Sequence, residues 1–233
     1  MTKIFDGKLS QLSVKYDGWD RILQDFLYSH FGQEELSEEQ DLEISLQFQE
    51  VLSAIMDLFL LFGKFRDSWE LPPKIDIYPF GQGTIVKSGK MDHDFSFGFY
   101  ESEFFIESYI LYPWNLKHMP DEFWNTFTEL STLGAFSFQE NIFPVFDEYK
   151  PIPAIFKGGR SNVYKIIRNY MALEQYSDGS LDLGWFKIQW HQETKWDVLI
   201  NRGCEAFKKI YRLNYMLYRD EYIRRKAKRI SFK

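Results

Sequence analysis

Lys74–Tyr100, KIDIYPFGQGTIVKSGKMDHDFSFGFY, is where the hydrophobic period of this chain changes, and that change decides the fold class. Ile75 and Ile77 alternate with Asp76 and Tyr78, Thr84-Ile85-Val86 follows, and His93, Phe95, Phe97 and Phe99 recur at every second position. A spacing of two places such residues on one face of a strand. The glycine-bearing breaks Gly81-Gln82-Gly83 and Ser88-Gly89-Lys90 read as turns, so the segment predicts a three-stranded antiparallel meander, extended by Phe104–Tyr112.

Upstream the period is that of a helix. Ile44, Phe48, Val51, Ile55, Leu58, Phe62 and Phe65 fall at alternating steps of four and three within Leu36–Arg66. Ser37 with Gln40 makes a capping-box start, and Pro72-Pro73 lies beyond the expected end. Asp17 can cap a shorter helix carrying Trp19, Leu23 and Phe26 that stops near Gly32, which completes a helical hairpin.

Downstream, helices are expected at Asp121–Leu133 and Asn162–Gln175, a strand at Leu183–Trp190 and a final helix from about Asp197 to Lys228. The expected fold is therefore α+β: an N-terminal helical hairpin packed on a mainly antiparallel sheet, with further helices and a long C-terminal one. A single compact domain over 1–233 is expected. Its natural subdivision is an acidic part at 1–143 and a basic part at 154–233, joined by the proline-bearing stretch Asn141–Pro153.

That subdivision follows the charge. Residues 1–150 carry 26 Asp and Glu against 11 Lys and Arg, whereas residues 151–233 carry 8 against 17, a contrast hidden by the net charge of −6. With 45% apolar and 19% aromatic residues the chain can build a sizeable core. Cys204 is the one cysteine, which excludes an intrachain disulfide framework and any cysteine-rich zinc site. Met1–Tyr16 has no apolar signal region, and the longest apolar run, Val51–Phe62, is too short to span a bilayer. A cytoplasmic protein that does not enter membranes is expected.

Catalytic chemistry finds little support. Asp92-His93-Asp94 has metal-ligand character, but strand alternation sends His93 to the face opposite the two carboxylates. Acid-x-Lys pairs of the kind used by metal nucleases occur at Asp6, Glu148 and Glu193, about as often as composition alone would give. Of these only Glu193 follows a predicted strand, where Asp182 could join it. Cys204 lies in the apolar phase of the last helix, and the four histidines sit in no motif. No catalytic residue, metal site or cofactor is therefore assigned, a non-enzymatic role is expected, and no stretch carries the motif set of a known family.

Two binding readings remain. In the first, an acidic face formed by Glu34, Glu35, Glu38, Glu39, Asp41, Asp92, Asp94, Glu101 and Glu103 occupies a basic site on another protein, in the manner of a toxin-neutralising immunity protein. In the second, the protein binds or processes nucleic acid. Lys157, Arg160 and Ser161 flank glycines at a helix start, where free amides suit an anion. On the last helix Phe207, Tyr211, Tyr215, Tyr218 and Tyr222 form an aromatic stripe among cations that include Arg224, Arg225, Lys226 and Arg229. The same stripe suits a tyrosine seam packed on the protein's own core, with arginines reaching acidic groups of the N-terminal half. Homo-oligomerisation is left open.

Overall fold

The computed structural model describes residues 37–71, 76–78, 81–100, 102–140, 162–167, 170 and 184–231. The fold is α+β, with one antiparallel sheet and a long C-terminal helix. Three helices are labelled here: α1 (Glu38–Gly63), α2 (Asp121–Glu129) and α3 (Trp196–Ser231). The strands are β1 (Trp69–Glu70), β2 (Asp76–Tyr78), β3 (Gly81–Ser88), β4 (His93–Tyr100), β5 (Glu103–Tyr109), β6 (Ala135–Glu140) and β7 (Gly184–His191). They pair in the order β1-β3-β4-β5-β7-β6, with β2 also on β3. The expected first helix of the hairpin, near Asp17–Gly32, and the stretch Asn141–Pro153 lie outside the described residues.

Two compact units are present. The first comprises Met1–Ile106 and Gln189–Lys208, the second Glu107–Ile188 and Lys209–Lys233. In the first unit α1 starts as its sequence dictates: Ser37 Oγ accepts the Gln40 amide, and the Gln40 side chain accepts the Ser37 amide in return. It ends with Lys64 in the left-handed conformation at φ 48°, although Gly63 stands just before it. The glycine is needed one position earlier, because a Cβ at residue 63 would meet the Phe65 ring at 2.0 Å.

The core of this unit is aromatic. Phe207 stacks on Phe59 at 5.2 Å between ring centroids and meets Phe65, Phe95 and Phe97 edge-on, with Trp69 tilted against it. Offset and edge-on arrangements are the ones the ring quadrupole favours. Phe95 and Phe97 reach this cluster because β4 alternates, with His93, Phe95, Phe97 and Phe99 buried and Asp94 exposed. Helix α3 approaches closely through Gly203, where a Cβ would lie 3.2 Å from the Phe59 ring.

The sequence reading of Gly81-Gln82-Gly83 as a turn is corrected. These residues begin β3, facing Tyr78–Asp76 of β2 on one side and Tyr100–Gly98 of β4 on the other. Pairing on both sides satisfies their backbone groups as strand. The second turn holds, as a four-residue loop between Ser88 and His93. Asp67 ties it down by accepting Ser88 Oγ at 2.6 Å and the Lys90 amide at 3.0 Å.

In the second unit Phe127 of α2 packs edge-on against Phe186 of β7 and Phe136 of β6. Asn162, at the start of the helical stretch 162–167, accepts the Phe138 amide and donates to the Phe136 carbonyl. It thereby caps part of the β6 edge as a neighbouring strand would.

Phe207 sits at the centre of its cluster with no exposure. Replacing it with Ala is expected to cost about 3–5 kcal/mol through lost burial and a residual cavity, and Phe207→Leu clearly less. Urea denaturation of the two variants beside the parent chain checks this.

Candidate functional site

The site is built on the second half of α3 and on the turn after β5. Sequence reading extends β5 to Tyr112; the strand instead ends at Tyr109, and Tyr112 takes a left-handed φ of 49° just before Pro113. A 3₁₀ turn over Pro113–His118 follows, presenting Trp114 and Asn115. Three buried hydrogen bonds fix α3 against this segment. Asn214 Oδ1 accepts the Leu111 amide at 3.0 Å, Asn214 Nδ2 donates to Ser108 Oγ at 3.0 Å, and Asn115 Nδ2 donates to the Leu217 carbonyl at 2.9 Å. Both asparagines are fully buried. The orientation of the Asn115 amide follows from that carbonyl, since a flip would set oxygen against oxygen; its Oδ1 has no hydrogen-bond partner among the described residues.

One turn further along, Glu221 is held from three directions. Its carboxylate accepts Trp114 Nε1 at 2.8 Å, Arg225 Nε at 2.7 Å and, more loosely, Asn115 Nδ2 at 3.4 Å. Burial alone would push this carboxyl up. The hydrogen bonds from Trp114, Arg225 and Asn115, with the charge of Arg225, outweigh burial and hold it below its ordinary range.

Arg225, anchored at Nε, lies over the Tyr112 ring at 5.3 Å. Around this pair opens a groove of about 450 Å³ lined by Tyr112, Tyr218, Glu221, Tyr222, Arg225, Lys226 and Arg229. That volume is within the range of small-ligand sites. Three cations against one committed carboxylate leave the lining positive, and its walls are tyrosine. The rings continue as a ladder along α3: Tyr211 and Tyr215 stack at 6.1 Å, Tyr215 and Tyr218 follow at 6.3 Å, and Tyr218 and Tyr222 at 6.3 Å.

The basic residues of α3 thus divide by use. Lys209 pairs with Glu129 at 2.7 Å, Arg212 with Glu122, and Arg224 with Asp220 at 3.1 Å, this last close but not aligned as a hydrogen bond. Arg224 also lies 3.4 Å from His118 Nε2. The Lys209 and Arg212 contacts reach acidic residues of the N-terminal half, the internal pairing that the sequence suggested as the plainer alternative, whereas Arg224 pairs within α3 itself. Lys226 and Arg229 are exposed and make no ion pair among the described residues.

The remaining predicted positions are not brought together. Glu34, Glu35, Glu101, Lys157, Arg160 and Ser161 lie outside the described residues. Glu38 and Glu39 are exposed in the first turn of α1, and Asp41 follows on the same helix. Asp92 is not on the strand: it occupies the turn at φ 51°, bound to Lys87 Nζ at 2.6 Å, which lowers its carboxyl and raises the lysine. Asp94 is exposed on β4, and Glu103 on β5 accepts from Gln189.

Other groups add little. Burial pushes the Glu107 carboxyl up against the pull of Lys187 at 4.0 Å, and burial likewise pushes the Cys204 thiol far up, so no thiolate forms there at neutral pH. Among the described residues no group of three or more His, Cys, Asp or Glu side chains could hold a metal ion, and no helix is long and apolar enough to cross a membrane. Comparison with protein-family models, with curated proteins and with solved structures finds no significant match to this chain.

Sequence reasoning singled out Arg225, Lys226 and Arg229 but missed Tyr112, Trp114, Asn115 and Glu221. Only Glu221 had a local signal, its position four residues before Arg225.

The lowered Glu221 value has a pH signature. The folded chain binds this proton less tightly than the unfolded one, so the stabilisation is complete above about pH 4.3 and disappears as pH falls through the folded value. Glu221→Gln is expected to be less stable than the parent near pH 7, with the gap narrowing below pH 4. Denaturant titrations at both pH values check the sign.

Proposed function

We propose that this protein binds nucleic acid through the tyrosine-walled groove at the end of α3. One observation carries the reading: Arg225, Lys226 and Arg229 converge on a cleft whose walls are Tyr112, Tyr218 and Tyr222. Cations placed among aromatic faces suit a ligand that is both polyanionic and aromatic, since phosphates take the charge and bases take the rings. A purely structural role accounts for Lys209, Arg212 and Arg224, which have carboxylate partners. It accounts less well for Lys226 and Arg229. They lie near the helix C-terminus, where a cation gains only modestly from the macrodipole.

The acidic-face reading keeps one supporting observation. The first turns of α1 expose Glu38, Glu39 and Glu43 around two uncovered leucines, Leu42 at 60% and Leu46 at 51%. Carboxylates around apolar side chains are the composition a basic protein partner would meet. Asp92 and Glu103, in contrast, have partners within the chain, which shrinks the face assembled from the sequence. The groove is the better-formed site of the two.

Combined Arg225→Gln, Lys226→Gln and Arg229→Gln substitution is expected to weaken binding of a 20-nucleotide single strand at least tenfold at low salt. The slope of log affinity against log salt should flatten by about 2, as the loss of three phosphate contacts implies. Fluorescence anisotropy over a salt series measures both, with circular dichroism to verify that α3 is intact. Parent protein that is not retained on nucleic acid at low salt removes this function.

A further inference from the structure

We propose that the groove takes one unpaired nucleotide of a single strand, its base against Tyr222 and its own and an adjoining phosphate on Arg225, Lys226 and Arg229. This rests on the nucleic-acid reading above and adds the form of the ligand. The lining tyrosines differ in use. Tyr112 has Arg225 over its ring, and Tyr218 lies between Tyr215 and Tyr222 in the ladder. Tyr222 ends the ladder and is 56% exposed, so it offers a ring on which a further planar group continues the stack.

The ladder is preformed. Tyr218 and Tyr222 are inclined by only 26°, so a base added at the outer end pays little to orient its platform.

The phosphate side is equally prepared. Glu221 occupies the Nε of Arg225, which fixes the plane of the guanidinium and leaves both Nη groups, the pair that can grip a phosphate in two parallel hydrogen bonds. Glu221 is therefore a positioning residue. Its other oxygen is committed to Trp114, so both carboxylate oxygens have donors within the protein. Arg225 and Arg229 are one turn apart, about 6 Å along the helix axis. Cations so spread reach more than one phosphate, which favours a nucleotide within a strand over a free one.

Unpaired form follows from the ring. In the interior of a duplex each base is covered on both faces by its neighbours, so apart from its two end faces a duplex presents phosphates to the cations but nothing to Tyr222. Stacking on an aromatic side chain contributes about 1–3 kcal/mol per base, and only an unstacked base can collect it. Cations therefore set affinity for any nucleic acid, and Tyr222 sets the preference for single strands.

The test compares a labelled 12-nucleotide single strand with a blunt duplex of the same sequence, by anisotropy at low salt, for the full chain and its Tyr222→Ala and Tyr222→Phe variants. The expected result is tighter binding of the single strand, with Tyr222→Ala lowering that affinity roughly 5- to 150-fold. Duplex binding and the salt slope should be unchanged, and Tyr222→Phe should behave as the parent. Because Tyr222 is exposed, the Ala variant is expected to melt with the parent, and thermal denaturation verifies this. Equal weakening of both ligands, or no weakening of the single strand, overturns the inference while leaving general nucleic-acid binding standing. A mononucleotide that binds as tightly as the strand overturns the assignment to a strand. Absence of binding to either form in the parent protein sinks the underlying function as well.

Discussion

Two fully buried asparagines set the phase of the C-terminal helix in its unit. Asn214 and Asn115 each bury an amide completely, and a buried polar group left unpaired costs about 1–3 kcal/mol. Asn214 pairs with the Leu111 amide and Ser108 Oγ, and the Asn115 Nδ2 group with the Leu217 carbonyl. Turning α3 by one residue would move these groups through about 100° and break all three contacts. With Asn214 and Leu217 held, Glu221 faces Trp114 and Arg225 comes to lie over Tyr112. The apolar positions Ile210, Leu213 and Leu217 supply burial on the same stretch, but apolar contact is non-directional. The asparagines supply the direction.

How much of this was legible depended on the range of each interaction. The capping box at Ser37 and Gln40, the strand alternation of His93 to Phe99 and the length of α3 are local, and each can be read from a window of a few residues. Glycine spacing misled at Gly81–Gly83, because glycine permits turns but does not require them when partners lie on both sides. Among site residues, the cations and tyrosines of one helix could be read together because they share a helical face. Tyr112, Trp114 and Asn115 could not, since they meet Glu221 and Arg225 only across more than 100 positions. Pro113 was the nearest hint that β5 ends early, and an asparagine amid the apolar phase at 214 was the hint of a buried polar tie.

The charge split along the sequence takes a different form in three dimensions. Basic residues of α3 meet acidic residues of α2 within one unit, at Lys209 with Glu129 and Arg212 with Glu122. Being largely exposed, such pairs contribute little to stability. Their effect is subtractive: they remove cations from the count available to an outside anion. Arg225, Lys226 and Arg229 line the groove, so a whole-chain charge of −6 is a poor guide to the local field.

The last turns of α3 bring several cations close together. Arg225 and Arg229 are like charges four residues apart, a spacing that disfavours a helix, and residues 225–230 are exposed, so little packing compensates. Glu221 offsets the repulsion at one end only. Salt screens such like-charge repulsion, so ionic strength bears on how firmly this terminus winds. In this sense the helix end is sensitive to the salt around it.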